Sequence, residues 1–373
     1  MSLSPVELRH TLHKNPELSF QEFETTRLLI ENIKSLDTTG RLKIYTPYKT
    51  GLLVEYHVND REYILFRADI DALPIKEENE IEFKSINQFM HACGHDVHTS
   101  ILYSFISEVL NRNIDQNILF LFQPAEESGG GAMEFFKTGF FDGFNISKAF
   151  ALHVTDEYKE GSVASTAGVL FASALEVDID FLGLSSHVAF PKGGRNAFNA
   201  LRQFLDEIDK LPKNENESFI FGVGKITSGE VRNITPGYAR LEGTIRALSS
   251  RKVLDFFDNL KKNLADIKNT TGVDFKLQKG SHYPEVIVDK NLFEKISEHL
   301  SEKYTFIDCG HKMTGEDFGF ISHKFPSFMF WLGTSNGEHF GLHNPKFLPP
   351  DSVIEKGKDI LTDILNLMVS KKI

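Results

Sequence analysis

A chain of 373 residues is longer than one hydrophobic core usually organises, which predicts two domains. Its formal net charge of −11 argues against nucleic acid and anionic membranes as partners, because phosphate recognition needs an excess of lysine and arginine. Two cysteines, Cys93 and Cys309, make no disulfide framework and fit a reducing compartment. No run approaches the ~18 apolar residues of a membrane span, and charged residues stand at once behind the first few positions where a leader would be apolar. The expectation is a cytoplasmic protein.

Ser4-Pro5-Val6-Glu7 reads as a helix start, with a cap, a proline in the first turn and a capping-box glutamate. Asn15-Pro16 breaks that helix, and Ser19-Phe20-Gln21-Glu22 reads as a second capping box ahead of Leu29, Ile30, Ile33 and Leu36 at helical spacing. Leu52–Val58 and Tyr63–Phe66 are apolar runs of strand length, the second leading into Arg67-Ala68-Asp69-Ile70-Asp71. His98 to Leu110 is helical, Ile118–Phe122 is a buried strand running into Gln123-Pro124-Ala125-Glu126-Glu127, and a short helix follows Gly129-Gly130-Gly131. Ala149–Leu152 is a further strand, ending at His153-Val154.

Strands alternating with helices predict an α/β domain with a doubly wound, mostly parallel sheet. In such sheets sites form beyond the carboxyl ends of the strands. Asp69, Glu126, Glu127 and His153 all fall where strands are predicted to run out.

Past Leu170 the pattern changes. Leu175, Val177, Ile179 and Phe181 alternate with Glu176, Asp178 and Asp180, which is a strand with one solvated face. An amphipathic helix follows (Phe198, Leu201, Leu205, Ile208, Leu211), then strands at Phe219–Ile226 and Arg240–Arg246. A second helix (Val253, Phe256, Leu260, Leu264, Ile267) leads to a closing strand at Val273–Leu277. The order β-α-β-β-α-β is that of a ferredoxin-like α+β unit, so residues 174–284 are expected as a domain inserted into one formed by 1–173 and 285–373. Lys213-Asn214-Glu215-Asn216-Glu217-Ser218 reads as a solvated loop. From Tyr283-Pro284 the chain returns, with a helix near Leu292–Leu300, a strand at Phe328–Leu332 and a last helix around Ile354–Met368.

The chemistry concentrates in Met90-His91-Ala92-Cys93-Gly94-His95-Asp96-Val97-His98. Cys93 and His95, two apart, project together only from a turning or extended backbone. A thiolate beside an imidazole suits a borderline-soft divalent ion such as zinc, whereas the bland alternative is a buried thiol beside a surface histidine. Glu126-Glu127 follows a buried strand and Pro124, a poor place for an ordinary solvated charge pair. One of two adjacent carboxylates can bind an ion while the other accepts a proton from water. His153, just past a strand, reads as a ligand or as a satisfied core histidine. His343 sits in the turn-forming loop Gly341-Leu342-His343-Asn344-Pro345. Together Cys93, His95, Glu127, His153 and His343 are too many ligands for one catalytic zinc, and they fit two ions sharing a bridging ligand.

Leu12-His13-Lys14-Asn15-Pro16-Glu17-Leu18-Ser19-Phe20, Arg67 to Pro74, His91 to Asp96, Gln123 to Glu127 and Leu342-His343 together resemble the co-catalytic dimetal amidohydrolases that act on N-acyl amino acids. The resemblance covers essentially the whole chain. It implies that Cys93, His95, Glu127, His153 and His343 hold two divalent ions, zinc first, with manganese, cobalt or nickel as alternatives. It makes Glu126 the general base and Asp69 the acid that orients a ligand histidine. Relatives with a ligand histidine two positions before that aspartate differ from this chain, which has Arg67 there; the two-ion site follows the branch with a cysteine. The resemblance also makes the inserted domain a lid and homodimerisation domain. In it, His187 of Ser185-Ser186-His187-Val188-Ala189-Phe190-Pro191 reaches the partner's site, and Asn233 and Arg246 hold the substrate's carboxylate. Lys192 stands where close relatives often have histidine.

Met313-Thr314-Gly315-Glu316-Asp317-Phe318-Gly319 and Phe328 to Gly333 look most like the branch that removes acetate from N-acetyldiaminopimelate in diaminopimelate and lysine synthesis. Glu316 or Asp317 would then meet the substrate's distal ammonium, the bland reading being acids at a helix start. The runner-up is a broader hydrolase of N-acyl or N-benzoyl amino acids. A metal-binding scaffold on an inactive enzyme fold is the reading from another class, and the spare carboxylate of Glu126 speaks against it.

Overall fold

The computed structural model describes residues 2–112, 114–190, 192–210 and 218–370. Pro191, Leu211 and the polar run from Lys213 to Glu217 lie outside the described residues. The chain divides into two compact units. One comprises Met1–Leu170, Val286–Gly310 and Phe320–Ile373, the other Phe171–Glu285 and His311–Gly319.

The first unit is built on an eight-stranded sheet in the order Leu42–Tyr45, Leu52–Tyr56, Asn117–Gln123, Tyr63–Asp69, Ile146–Lys159, Ser327–Ser335, Val163–Ser165, Phe306–Asp308. Its four central strands, from Asn117–Gln123 to Ser327–Ser335, run parallel. Each carries an apolar run, as expected of a parallel sheet covered on both faces; Ile118 to Phe122 and Phe328 to Phe330 are fully buried.

The helix Pro5–Lys14 starts as expected, with Ser4 and Glu7 forming a reciprocal capping box. Arg9 and His13, one turn apart on one face of that helix, reach the same Asp96 Oδ2 at 3.3 and 2.9 Å. This buried network ties the first helix to the helix His95–Arg112. Burial disfavours a charged His13, but Asp96 and Glu77 outweigh it and raise its pKa to about 9.

Two expectations fail here. The second capping box does not form: the helix begins at Phe23, Glu17 accepts from the N–H groups of Glu24 and Thr25, and Ser19 Oγ donates to Asp71 instead. The strand expected to end at His153-Val154 runs from Ile146 to Lys159. Its ladder with Ser327–Ser335 continues through Trp331↔His153 and Gly333↔Thr155, so the backbone stays paired past the histidine. On its other side the pairing with Tyr63–Asp69 stops at Arg67↔Ala151, and His153 therefore lies just past the point where that neighbour gives out.

The second unit has a four-stranded antiparallel sheet in the order Phe219–Ser228, Tyr238–Ala247, Ser173–Leu182, Asp274–Tyr283. Helices Ala197–Ile208 and Ser250–Thr271 complete the β-α-β-β-α-β order of a ferredoxin-like unit. The alternation read in the sequence sorts the two faces. Leu175, Val177, Ile179 and Phe181 pack in one core with Leu201 and Phe204 of the first helix and Leu260 and Leu264 of the second. Each such side chain contributes about 1.5–3 kcal/mol by burial. Phe198, expected on the buried face, is 47% exposed, and Ala197 and Ala200 take its place in the core. On the opposite face Arg240 pairs with Asp178, Asp180 and Glu242.

Candidate metal centre

Cys93 and His95 meet because the backbone turns between them. Gly94 has φ +82°, and a Cβ there would stand 2.4 Å from a methyl of Val154, so only glycine fits. Cys93 lies just before the helix that His95 opens. Its Sγ is 3.4 Å from His153 Nε2. His153 Nδ1 donates to the carbonyl of Val154 at 2.8 Å, which fixes the tautomer and leaves Nε2 as a lone-pair donor facing the sulfur.

His95 is oriented in the same way. Its Nδ1 bonds Asp71 Oδ1 at 3.2 Å, and its buried Nε2 has no hydrogen-bond partner. That Nε2 is 3.8 Å from Glu127 Oε1, an oxygen equally without one. His343 enters from the far end of the unit's sequence, with φ +62° and its N–H on the carbonyl of Ala92, and places Nε2 3.4 Å from the same Glu127 oxygen. The donor atoms of Cys93, His95 and His153 lie within 4.8 Å of one another, as do those of Cys93, Glu127 and His343. Cys93 is common to both groups.

The electrostatics favour a cation. Burial and the carboxylates of Glu127, Glu126 and Asp69 push the Cys93 thiol well above its ordinary range. Burial alone would lower His95, but Asp69, Asp71 and Glu127 raise it to about 10. The same acids favour a divalent cation in that place. The donor set of one sulfur, imidazole nitrogens and a carboxylate is that of zinc-type sites.

Glu126 is buried where the chain leaves strand Asn117–Gln123, after Ala125 at φ +56°. One oxygen each of Glu126 and Glu127 and a nitrogen of His95 lie within 4.8 Å of one another. The Glu127 N–H donates to Asp71 Oδ2 at 2.9 Å. Asp71 thus holds His95 with one oxygen and the backbone of Glu127 with the other.

Asp69, expected to orient a ligand histidine, bonds His98 Nδ1 at 2.6 Å and Arg67 at 2.7 Å, and stands 3.7 Å from His95 Nε2. His98 Nε2 accepts the Val154 N–H at 2.9 Å, so Nδ1 carries the proton and Asp69 is its acceptor. Sequence reasoning missed Asp71 and His98. The signals were there: Asp71 is two past Asp69 at a strand end, and His98 is one helical turn from His95.

The remaining site candidates lie on the second unit. His187 is exposed in the short strand Ser186–His187, which pairs with Ile234–Thr235, and the carbonyl of Asn233 accepts from the N–H of Val188 beside it. Arg246, on strand Tyr238–Ala247, donates to the carbonyl of Met313 at 2.9 Å. Glu316 and Asp317 are buried, with Glu316 accepting from the N–H of Phe318. The structure therefore gathers Asp69, Cys93, His95, Glu126, Glu127, His153 and His343 within one unit.

A dinuclear-type cluster at the ends of a mostly parallel sheet, with a ferredoxin-like insert, defines a class of metallohydrolase. The chain belongs to peptidase family M20/M25/M40, whose model matches residues 65–367. It is 38% identical over 354 residues to an N-acetyldiaminopimelate deacetylase of Exiguobacterium sibiricum, covering 94% of this chain and 95% of that one. It is 37% identical over 369 residues to the enzyme of that name from a Geobacillus species, covering 96% and 97%. Among solved structures it resembles the Bacillus subtilis YXEP protein, described as a dinuclear metal binding peptidase from the M20 family. That likeness has a TM-score of 0.81 and 26% identity, over 98% of each chain.

Proposed function

We propose that the chain is a metal-dependent amidohydrolase that removes acetate from N-acetyl-LL-diaminopimelate, in diaminopimelate and lysine synthesis. The observation that carries the hydrolytic reading is the buried carboxylate of Glu126, with an oxygen within 4.8 Å of donor atoms of His95 and Glu127, where a general base would stand. The substrate reading is supported by the two deacetylases matched over nearly the whole chain.

Cys93, His95, Glu127, His153 and His343 would hold two divalent ions, with zinc as the ion their sulfur and nitrogen donors suit best. When bound, the ions polarise the acetyl carbonyl and lower the pKa of water towards ~7. Glu126 takes a proton from the attacking water as its oxygen bonds the acetyl carbon. As the carbon–nitrogen bond breaks, Glu126 delivers that proton to the leaving amine, giving acetate and the free diamine. Asp71 holds the His95 ring and the backbone of Glu127 in register, and His98, held by Asp69, accepts the N–H of Val154 next to His153.

Asn233, Arg246, Glu316 and Asp317 are assigned to substrate binding, and His187 to catalysis, where it steadies the oxyanion. Arg246 and Asn233 take a carboxylate, one of the two acids takes the distal ammonium, and His187 serves the site of a second protomer in a cytoplasmic homodimer. The test is metal analysis of the purified protein, joined to acetate release from N-acetyldiaminopimelate, N-acetyl-leucine and hippurate. One charge-assisted ammonium contact of roughly 1.5–3 kcal/mol corresponds to about ten- to a hundredfold in kcat/KM for the first substrate. Equal or better kcat/KM for hippurate overturns the deacetylase reading in favour of a general N-acyl amino acid hydrolase.

A further inference from the structure

The segment Ser19-Phe20-Gln21-Glu22 looked in the sequence like a helix cap, and the structure gives it other work. Two of its side chains touch the turn that carries Glu126 and Glu127, and a third reaches it through Asp71. Glu22, fully buried, accepts the N–H of Ala125 on Oε1 at 2.8 Å, while its Oε2 accepts from Thr50 Oγ1 at 2.8 Å. Phe20, itself at φ +63°, lays its ring where a Cβ on Gly129 would be, 2.5 Å from Cε2. Ser19 Oγ donates to Asp71 Oδ2 at 2.7 Å, the same oxygen that receives the Glu127 N–H.

Ala125 makes these contacts consequential. It is a non-glycine residue in the left-handed region, a conformation that costs of order 1 kcal/mol or more and persists only where the surroundings impose it. Its N–H is buried and faces Glu22, and the next residue is the base. Asp71 secures the turn on the ligand side, at Glu127, and Glu22 secures it on the base side, at Ala125.

We infer that Glu22 is a positioning residue: its bond to the Ala125 N–H holds the strained turn and so aims Glu126, which rests on the reading of Glu126 as the general base. What the task requires of Glu22 is reach, not charge. Burial and the nearby Asp71 raise its carboxyl to about 7, and either protonation state presents an oxygen to Ala125. Glutamine keeps that oxygen in place. Aspartate keeps the carboxylate but is shorter by about 1.5 Å, one carbon–carbon bond.

The experiment compares metal-loaded wild type with Glu22→Gln and Glu22→Asp by two readouts. Amide hydrogen exchange of a peptide covering residues 122–128 reports the clamp without reference to turnover, and kcat, KM and metal affinity report its effect. Glu22→Asp is expected to exchange about tenfold faster at Ala125. It should also lose about ten- to a hundredfold in kcat, with KM and metal affinity nearly unchanged. Glu22→Gln should match wild type in both. The reverse order, with glutamine the damaging change, assigns Glu22 an electrostatic role and overturns the inference, as does unchanged exchange in Glu22→Asp. Faster exchange with full kcat also overturns it, since the clamp then does not aim the base. A wild type that exchanges as expected but does not hydrolyse N-acetyldiaminopimelate strikes the substrate reading, and the exchange order still decides whether Glu22 holds the turn.

Discussion

The Sγ of Cys93 and the Nε2 of His153 stand 3.4 Å apart, one from a glycine turn and the other from inside a long central strand. Neither atom can move far, because Gly94 packs against Val154 and His153 Nδ1 is held by the adjacent carbonyl. Since Cys93 belongs to both donor groups, Cys93→Ser should weaken metal binding at more than one position. A hydroxyl is a much poorer ligand than a thiolate. The loss should exceed the ~10–100-fold typical of removing a partner behind a ligand. Competition titration against a chelating dye measures it, and unchanged affinity would remove Cys93 from the ligand set.

Glu126→Gln separates base from ligand. The isosteric amide leaves the fold and the five-donor cluster intact but cannot accept the proton. Metal content should equal that of wild type while kcat falls by about 10²–10⁴. If the variant instead loses metal, Glu126 is a ligand and the division of labour within Glu126-Glu127 is wrong.

Asp156 makes a comparable argument for His343. Its Oδ2 accepts the N–H groups of Phe340 and Gly341 at 2.6 and 2.9 Å, mooring a loop whose histidine side chain is 53% exposed. Asp156→Ala should lower metal affinity by about 10–100-fold, and Asp156→Asn, which keeps an acceptor, should lower it less. Equal affinities in all three proteins would show that His343 needs no anchor.

These residues also mark how far the sequence could be read. That Cys93, His95, Glu127 and His343 would come together was legible because residue types able to ligate a metal stand in or beside turns rich in glycine and proline. The ferredoxin-like insert was legible because Leu175, Val177, Ile179 and Phe181 alternate without a break. Glu22 was misread because Ser-x-x-Glu has the spacing of a capping box whatever its side chains meet in three dimensions; only the fold brings Thr50 and Ala125 to it. The length of the His153 strand was misread for a related reason. Strand ends are set by the partner's ladder, and Ser327–Ser335 lies far away in sequence. Asp156 gave no local signal, since its acceptor role depends on a loop at residues 339–341.

The His13–Asp96 network predicts a pH dependence of stability. His13 is ordinarily half-protonated near 6.5 and is raised to about 9 in the fold. Because the folded pKa lies above the unfolded one, its contribution is complete below pH 6.5 and is lost as pH rises through 9. The shift corresponds to on the order of 3 kcal/mol. Urea unfolding of wild type and His13→Gln at pH 6.5, 8 and 9.5 should show the gap between them narrowing by that order as pH rises. A gap that is constant with pH would mean that His13 is neutral in the folded protein.

The assignment of His187 to a neighbouring protomer leads to a mixing experiment. His187 is exposed on the second unit, whereas Glu126 is buried in the first. If each site draws Glu126 from one chain and His187 from the other, the two inactive variants His187→Ala and Glu126→Gln complement each other. In a heterodimer one site then combines an intact Glu126 with the partner copy's intact His187, while the other site carries both lesions. After complete exchange at equal concentrations half the dimers are mixed, so about a quarter of all sites should be active. Acetate release should climb from near zero towards that fraction at the rate of subunit exchange, followed independently by fluorescence transfer between labelled chains. Exchange without recovered activity places His187 and Glu126 in the site of one protomer, or removes His187 from the chemistry; recovery to about a quarter can arise only if the site is shared between two copies.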